Sequence, residues 1–286
     1  MPARFRLVLE PKVLHPLGPP QHTGPGLHAA VLAALSQVDP AGAAWLHSPA
    51  ARPKPFALTP LLEQAGHGHP RFAFEVGVLH DPMRADFAKA LAALDILRIG
   101  HSSFLPLELV TLVDESYEAF YARARPSIRW GLRFLTPTTV RTGSATGVHL
   151  GQPLPTVEVV FGSLARRWTH FSGIAPLADR LPQVFGEHLH VVSHEIRTAE
   201  YVATLRQPPM TGFIGSVEFA LLDATRVEDD AARDVSALVS FAAVAGVGDL
   251  TTKGMGVVVP FPVAGPRRAQ APPTGGSRAR VSNDLR

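Results

Sequence analysis

Apolar and charged side chains alternate over residues 4–10, Arg-Phe-Arg-Leu-Val-Leu-Glu, which predicts a first strand. A loop rich in Pro, Gly and His follows over 11–26. Leu27, Val31, Leu35 and Val38 then fall at i, i+4, i+8 and i+11, one face of a helix. Asp39 followed by Pro40 reads as an N-cap and first helical position, opening a short helix over 40–47 that ends at His47. Phe72, Phe74, Val76 and Val78 alternate, so 71–80 is a strand; Met83, Phe87, Ala90, Leu91 and Leu94 mark a helix over 82–94. Extended apolar stretches fill 96–114.

The second half repeats this order. Ile128 to Leu135 reads as a strand, and Val157, Val160, Phe161, Leu164 and Trp168 form a helical stripe over 156–171. A further turn or two is expected over 177–186. Residues 189–205 and 212–222 read as a hairpin across Gln207-Pro208-Pro209. Val235, Leu238, Val239 and Ala242 mark the last helix, and Val257 to Val259 the closing strand. The pattern is β-α-β-β-α-β twice over: an α+β chain of tandem duplicated ferredoxin-like (RRM-like) domains. The expected division is 1–124, 125–263, and a basic Pro/Gly/Arg/Ser tail over 264–286 that reads as disordered.

Composition narrows the class. At 286 residues and 46% apolar the chain can bury real cores, and with no cysteine it has neither thiolate chemistry nor Cys-based zinc sites. No apolar run reaches the roughly 18 residues of a membrane span, and Met1 to Arg6 does not look like a signal peptide, so the expected compartment is the cytoplasm. The net charge of +3 misleads. The last 21 residues hold five arginines and one aspartate, and without them the net charge is −1. Basicity is thus a property of the tail. Local clusters and the 13 histidines, which titrate near neutrality, are more informative.

Between the last helix and the last strand runs Gly246-Val-Gly248-Asp-Leu-Thr-Thr-Lys253-Gly254-Met-Gly256. It fails the dinucleotide fingerprint, because Thr251 stands where the third glycine is required. It fails the phosphate-loop pattern, because Gly254 follows Lys253. Two readings stay open. Either it is a flexible connection, or its amides approach an anionic polymer closely while Lys253 adds a point charge.

A glycine-rich segment of this form, closing a second ferredoxin-like domain, resembles the hallmark of the repeat-binding RAMP superfamily of CRISPR-associated proteins. The first half is similar to the start of the endoribonucleases that process CRISPR precursor transcripts. The residues that carry this are Gly26-Leu27-His28 through Leu35, Asp39-Pro40, Trp45-Leu46-His47 and Lys54-Pro55-Phe56 through Pro60. Leu135-Thr136-Pro137-Thr138 and Phe161 through Trp168 resemble the family's second domain. The resemblance covers about residues 1–262. It implies RNA cleavage without a metal or other cofactor: the 2′-hydroxyl attacks the adjacent phosphate and expels the 5′-oxygen. Its implied partners are precursor RNA and mature guide RNA, with no membrane. A homodimer or a place in an effector complex stays open.

Such a reaction needs a base, an acid and positive charge on the phosphorane, and neutral pH favours imidazole. The resemblance implies His47 as a catalytic residue. At a helix C-terminus it would favour the protonated form and suit the acid role. His28, near the start of the first helix, would suit a neutral base. Some relatives have a tyrosine one turn further on; here that position is Leu32. Lys54 corresponds to the family's loop lysine and would neutralise or position the phosphate, with Arg52, His22 and His15 as lesser substitutes. For RNA binding the candidates are Arg129, Arg133, Arg141, Arg166 and Arg167, alongside Gly246, Gly248, Lys253, Gly254 and Gly256, with Trp130 or Phe134 available for stacking. His67, His69, His188, His190 and His194 lack acidic companions at metal-ligand spacing and read as loop and strand histidines. The rival to the nuclease is an RNA-binding subunit without catalysis that holds guide RNA in an effector complex. A third reading is a metal-dependent hydrolase built on the histidine pairs.

Overall fold

A computed structural model describes the chain except for residues 49–50, 66–69, 143–149, 175–183, 203–208, 223–226, 228 and 264–286. The expected turns at 177–183, the tip of the hairpin, His67, His69 and the tail lie outside the described residues.

The first half runs β1 (Ala3–Val13), α1 (Gly24–Val38), α2 (Pro40–His47), β2 (Phe56–Leu58), β3 (Leu62–Gln64), β4 (Arg71–Val78), α3 (Asp81–Ala92), β5 (Leu97–Ile99) and β6 (Ser102–Asp114). Its sheet has the order β2-β4-β1-β6-β5, with β3 also on β4, and its ladders are antiparallel. With β2, β4, β1 and β6 as the four principal strands, this is the ferredoxin-like arrangement. Phe5, Leu7 and Leu9 of β1 alternate inward, and meet Leu27, Val31 and Leu35 of α1 in one buried cluster. The Asp39 carboxylate accepts from the Gly42 amide at 2.9 Å, so the cap that separates α1 from α2 forms as its residue type dictates.

A short helix, α4 (Tyr117–Ala122), leads into β7 (Arg129–Thr138), β8 (Val140–Thr142), β9 (Leu150–Gln152), α5 (Val157–Ser172), β10 (Leu189–Tyr201), β11 (Met210–Leu221), α6 (Asp229–Ala245) and β12 (Val258–Phe261). The second sheet has the order β10-β11-β7-β12, again antiparallel, with α5 and α6 buried against it. A small β8–β9 ribbon forms a sheet of its own, with Thr139 donating to the Gln152 carbonyl.

Residues 117–124 fall within the expected N-terminal span, yet Tyr117 and Phe120 join the second core. The Tyr117 ring lies edge-on 5.2 Å from Trp168. The two halves meet where α6 crosses β4: a Cβ on Gly77 would come within 1.9 Å of the Val244 carbonyl oxygen. Only a residue without a side chain lets the helix come this near. Beside this crossing, Arg4 and Arg6 of β1 both pair with Glu75 of β4. Among the described residues no helix is long and apolar enough to cross a membrane.

Candidate nuclease site

The first helix brings His28 to the glycine-rich loop. Residues 251–253 of that loop form one 3-10 turn, entered through Leu250 in the left-handed region (φ 51°) and left through Gly254 (φ 83°). The turn lies against the start of α1 so closely that a Cβ on Gly24 would stand 1.8 Å from the Lys253 carbonyl oxygen. One turn further along α1, the His28 Nδ1 donates to the Thr252 carbonyl at 2.9 Å. A carbonyl oxygen can only accept, so this bond places the proton on Nδ1 and leaves Nε2 with its lone pair. The ring stacks on Phe56 of β2, with centroids 5.8 Å apart and planes within 7°.

Burial is the chief cause that brings the His28 imidazole down to about 4. The bond to Thr252 opposes it, while Lys253, His47 and Lys54 lower it further. His28 is therefore neutral at physiological pH. Residues from α2, the loop before β2 and the glycine-rich loop thus lie near enough to His28 to influence its charge.

His47 is the last residue of α2 and is exposed. Lys54 is not simply solvated. Its Nζ donates to the carbonyl oxygens of Leu46 and Ser48, the latter at 3.2 Å, and so covers the negative end of α2. Burial, then Arg52, lowers the Lys54 pKa. The helix end expected to favour a charged His47 is thus already answered by an ammonium.

The loop glycines differ from expectation. Gly246, Gly248, Gly254 and Gly256 all have positive φ. Their amides are directed inward: to the Ala242 carbonyl (2.9 Å), the Ser163 hydroxyl (2.9 Å), the Thr251 carbonyl (3.4 Å) and the Pro137 carbonyl (3.1 Å). The glycines shape the loop; they do not offer those four N–H groups to a phosphate. Lys253, half-exposed, is the loop's cation.

Arg167 is a correction as well. Its Nη1 donates to the carbonyls of Ala245 (2.5 Å) and Gly246 (3.2 Å), and its Nη2 to Gly248 (2.6 Å). Burial brings this guanidinium down to about 10, opposed by Asp249. It clamps the C-terminus of α6 and the entry of the loop, and is spent on the fold. Arg166 next to it is exposed. Arg129 pairs with Glu218 at 3.1 Å. Arg133 is exposed, bonds the Ser216 hydroxyl at 3.3 Å and lies over Phe261. Arg141 sits in β8. Trp130 and Phe134, proposed for stacking, face the core at 6% and 2% exposure, and Trp130 donates to Ser236.

Two contributors were not named from sequence, Gly24 and Tyr201, and Phe56 was named only within a motif, with no role. The buried Tyr201 hydroxyl donates to the Lys253 carbonyl at 2.6 Å, fixing the turn from the β10 side. Each acts across more than twenty residues of chain, and no local pattern marks such a contact.

Residues 132–258 match the family described as CRISPR-associated endoribonuclease Cas6. A solved Cas6 product complex is 28% identical, with a TM-score of 0.77, covering 91% of this chain and 100% of that one. Thermus thermophilus Cas6 is 26% identical, with a TM-score of 0.66, covering 91% and 98%. A RAMP protein described as binding different RNA substrates shares the fold at 14% identity and a TM-score of 0.61, covering 91% of this chain and 100% of that one. No curated protein matches the sequence.

Proposed function

We propose that this chain, whose residues 132–258 match the Cas6 family of CRISPR-associated endoribonucleases and which is similar to a solved Cas6 over nine-tenths of its length, is a Cas6 nuclease that cuts CRISPR precursor RNA within its repeats without a metal. The observation that carries the reading is the tautomer of His28. An imidazole whose Nδ1 proton is committed to Thr252, and which is neutral down to about pH 4, presents Nε2 as a base.

In this reading His28 takes the proton of the 2′-hydroxyl as that oxygen attacks the neighbouring phosphorus. His47, exposed at the end of α2, gives a proton to the departing 5′-oxygen. The products are a 2′,3′-cyclic phosphate and a 5′-hydroxyl, so the proton taken at one oxygen is matched by the proton given at the other. Lys253 supplies positive charge to the phosphorane from the loop. Lys54 works one step back: by holding the end of α2 it sets where His47 stands. Arg133 and Arg166, both exposed, hold the RNA backbone in this reading.

The test is incubation with a repeat RNA from the source genome's own CRISPR array in EDTA, followed by end-group analysis. Cleavage at one position with a 5′-hydroxyl end supports the reading. Loss of cleavage in EDTA, or a 5′-phosphate end, overturns it. Tight binding without cleavage in any buffer would instead identify a catalytically inactive subunit of an effector complex.

A further inference from the structure

Four aromatic side chains from three separate segments gather outside the constellation just described. Trp45 of α2 lies 6.1 Å from His80, which precedes α3. His80 lies 6.0 Å from Phe171 near the end of α5, and Phe171 is edge-on to His170 at 4.7 Å. The cluster spans both halves of the chain. It is open to solvent: Trp45 is 39% exposed, His170 is exposed, and His80 and Phe171 are half-buried. Trp45 belongs to neither buried cluster, while Phe171 packs against the rim of the second.

Trp45 stands two residues before His47 on the same short helix, about 200° round it, so the cluster and His47 occupy different sides of α2. The Leu79 amide, next to His80, bonds the Pro55 carbonyl at 2.7 Å, next to Lys54. One backbone bond thus ties this cluster to the loop that holds α2 in place. The make-up of the cluster also selects its ligand. Faces of Trp and Phe accept any base by stacking, and imidazoles at their margin suit the phosphates between bases. A protein partner burying this patch would have to desolvate His80 and His170, which repel each other when charged.

We propose that Trp45, His80, His170 and Phe171 form a shelf that stacks an unpaired nucleotide of the substrate flanking the cleaved bond. The proposal rests on the nuclease reading and adds a subsite to it. The shelf holds single-stranded RNA leading to or from the point where His28 and His47 act.

The protein's own tryptophans supply the readout. Trp130 is 6% and Trp168 0% exposed, so Trp45 is the one that a base can reach. The probe is a repeat RNA with a 2′-deoxy sugar at the cut site, which binds without being cleaved, in full-length form and trimmed to remove the unpaired nucleotides flanking that site. With the full-length RNA, tryptophan emission is expected to be quenched, and Trp45→Phe is expected to abolish the quench. Trp45→Ala is expected to weaken binding of the full-length RNA about tenfold. Phe171→Ala, distant from α2 in sequence, is expected to give the same loss, which guards against a folding defect in one variant. Unchanged affinity in both alanine variants, or a quench that persists in Trp45→Phe, overturns the shelf while leaving the nuclease intact. A wild-type protein that neither binds nor cuts the RNA overturns both.

Discussion

The imidazole of His28 and the carbonyl of Thr252, 224 residues apart in the chain, are joined by a 2.9 Å hydrogen bond. Through it the last loop of the second domain sets the tautomer of a side chain in the first helix. The bond joins the glycine-rich segment to His28 while the glycine amides point elsewhere. The loop serves as a template for His28.

The His28 tautomer and pKa give a pH dependence. The value falls from 6.5 to about 4, chiefly through burial, so protonation disables the base only in acid. The acid limb of kcat/KM, which reports the free enzyme, is expected near pH 4. The limb of kcat is expected higher, because a bound phosphate favours the charged ring. Stability follows the same group. Between pH 6.5 and 4 the unfolded chain binds a proton that the folded chain refuses, so stability from this site is complete above about 6.5 and is lost as pH falls towards 4. Denaturant titrations are expected to show wild type losing, across that window, on the order of 2 kcal/mol more stability than His28→Ala.

Gly24→Ala is expected to leave the domains folded and the site misassembled. Its Cβ would meet the Lys253 carbonyl oxygen at 1.8 Å, backbone against backbone, so α1 and the turn must separate. Misplacement of this order costs about 10²-fold in rate. Single-turnover cleavage, measured beside a circular dichroism melt, checks it; a variant that cuts like wild type would show the contact to be irrelevant.

Arg166 and Arg167 adjoin in sequence and are expected to respond in opposite ways. Arg167→Ala strips donors from three carbonyls and is expected to cost about 3 kcal/mol in urea unfolding, with Arg167→Lys a poor rescue because an ammonium cannot reproduce the fork. Arg166→Ala is expected to keep stability within about 0.5 kcal/mol and to reduce the salt dependence of RNA binding by roughly one counterion.

Lys54→Ala separates positioning from phosphate contact. As the group that covers the end of α2, Lys54 is expected to affect kcat, about tenfold or more, with little change in KM and none in the salt slope. A rise in KM with a flatter salt dependence would place it on the RNA.

Much of this was legible in the sequence. Period-2 and period-3.6 patterns located β1, α1, β4, α5 and α6, and the Asp39-Pro40 pair marked the helix that carries His47. The resemblance pointed to His28, His47 and the glycine-rich loop as one site. What stayed hidden depends on direction and distance. Arg166 and Arg167 are indistinguishable by composition, and only helix phase against α6 decides which faces inward. Trp130 and Phe134 could have lined an open sheet face, yet alternation put them in the core and turned Arg129 and Arg133 outward. The Gly24 and Tyr201 contacts join segments from opposite ends of the chain.

The central claim is that two imidazoles, one on α1 and one on α2, perform the cleavage. Single-turnover rates of His28→Ala and His47→Ala on repeat RNA in EDTA, each variant saturated with substrate, test it most directly. Each is expected to lower the rate by about 10²–10⁴-fold with RNA affinity retained. Cleavage at the wild-type rate by either variant would contradict it.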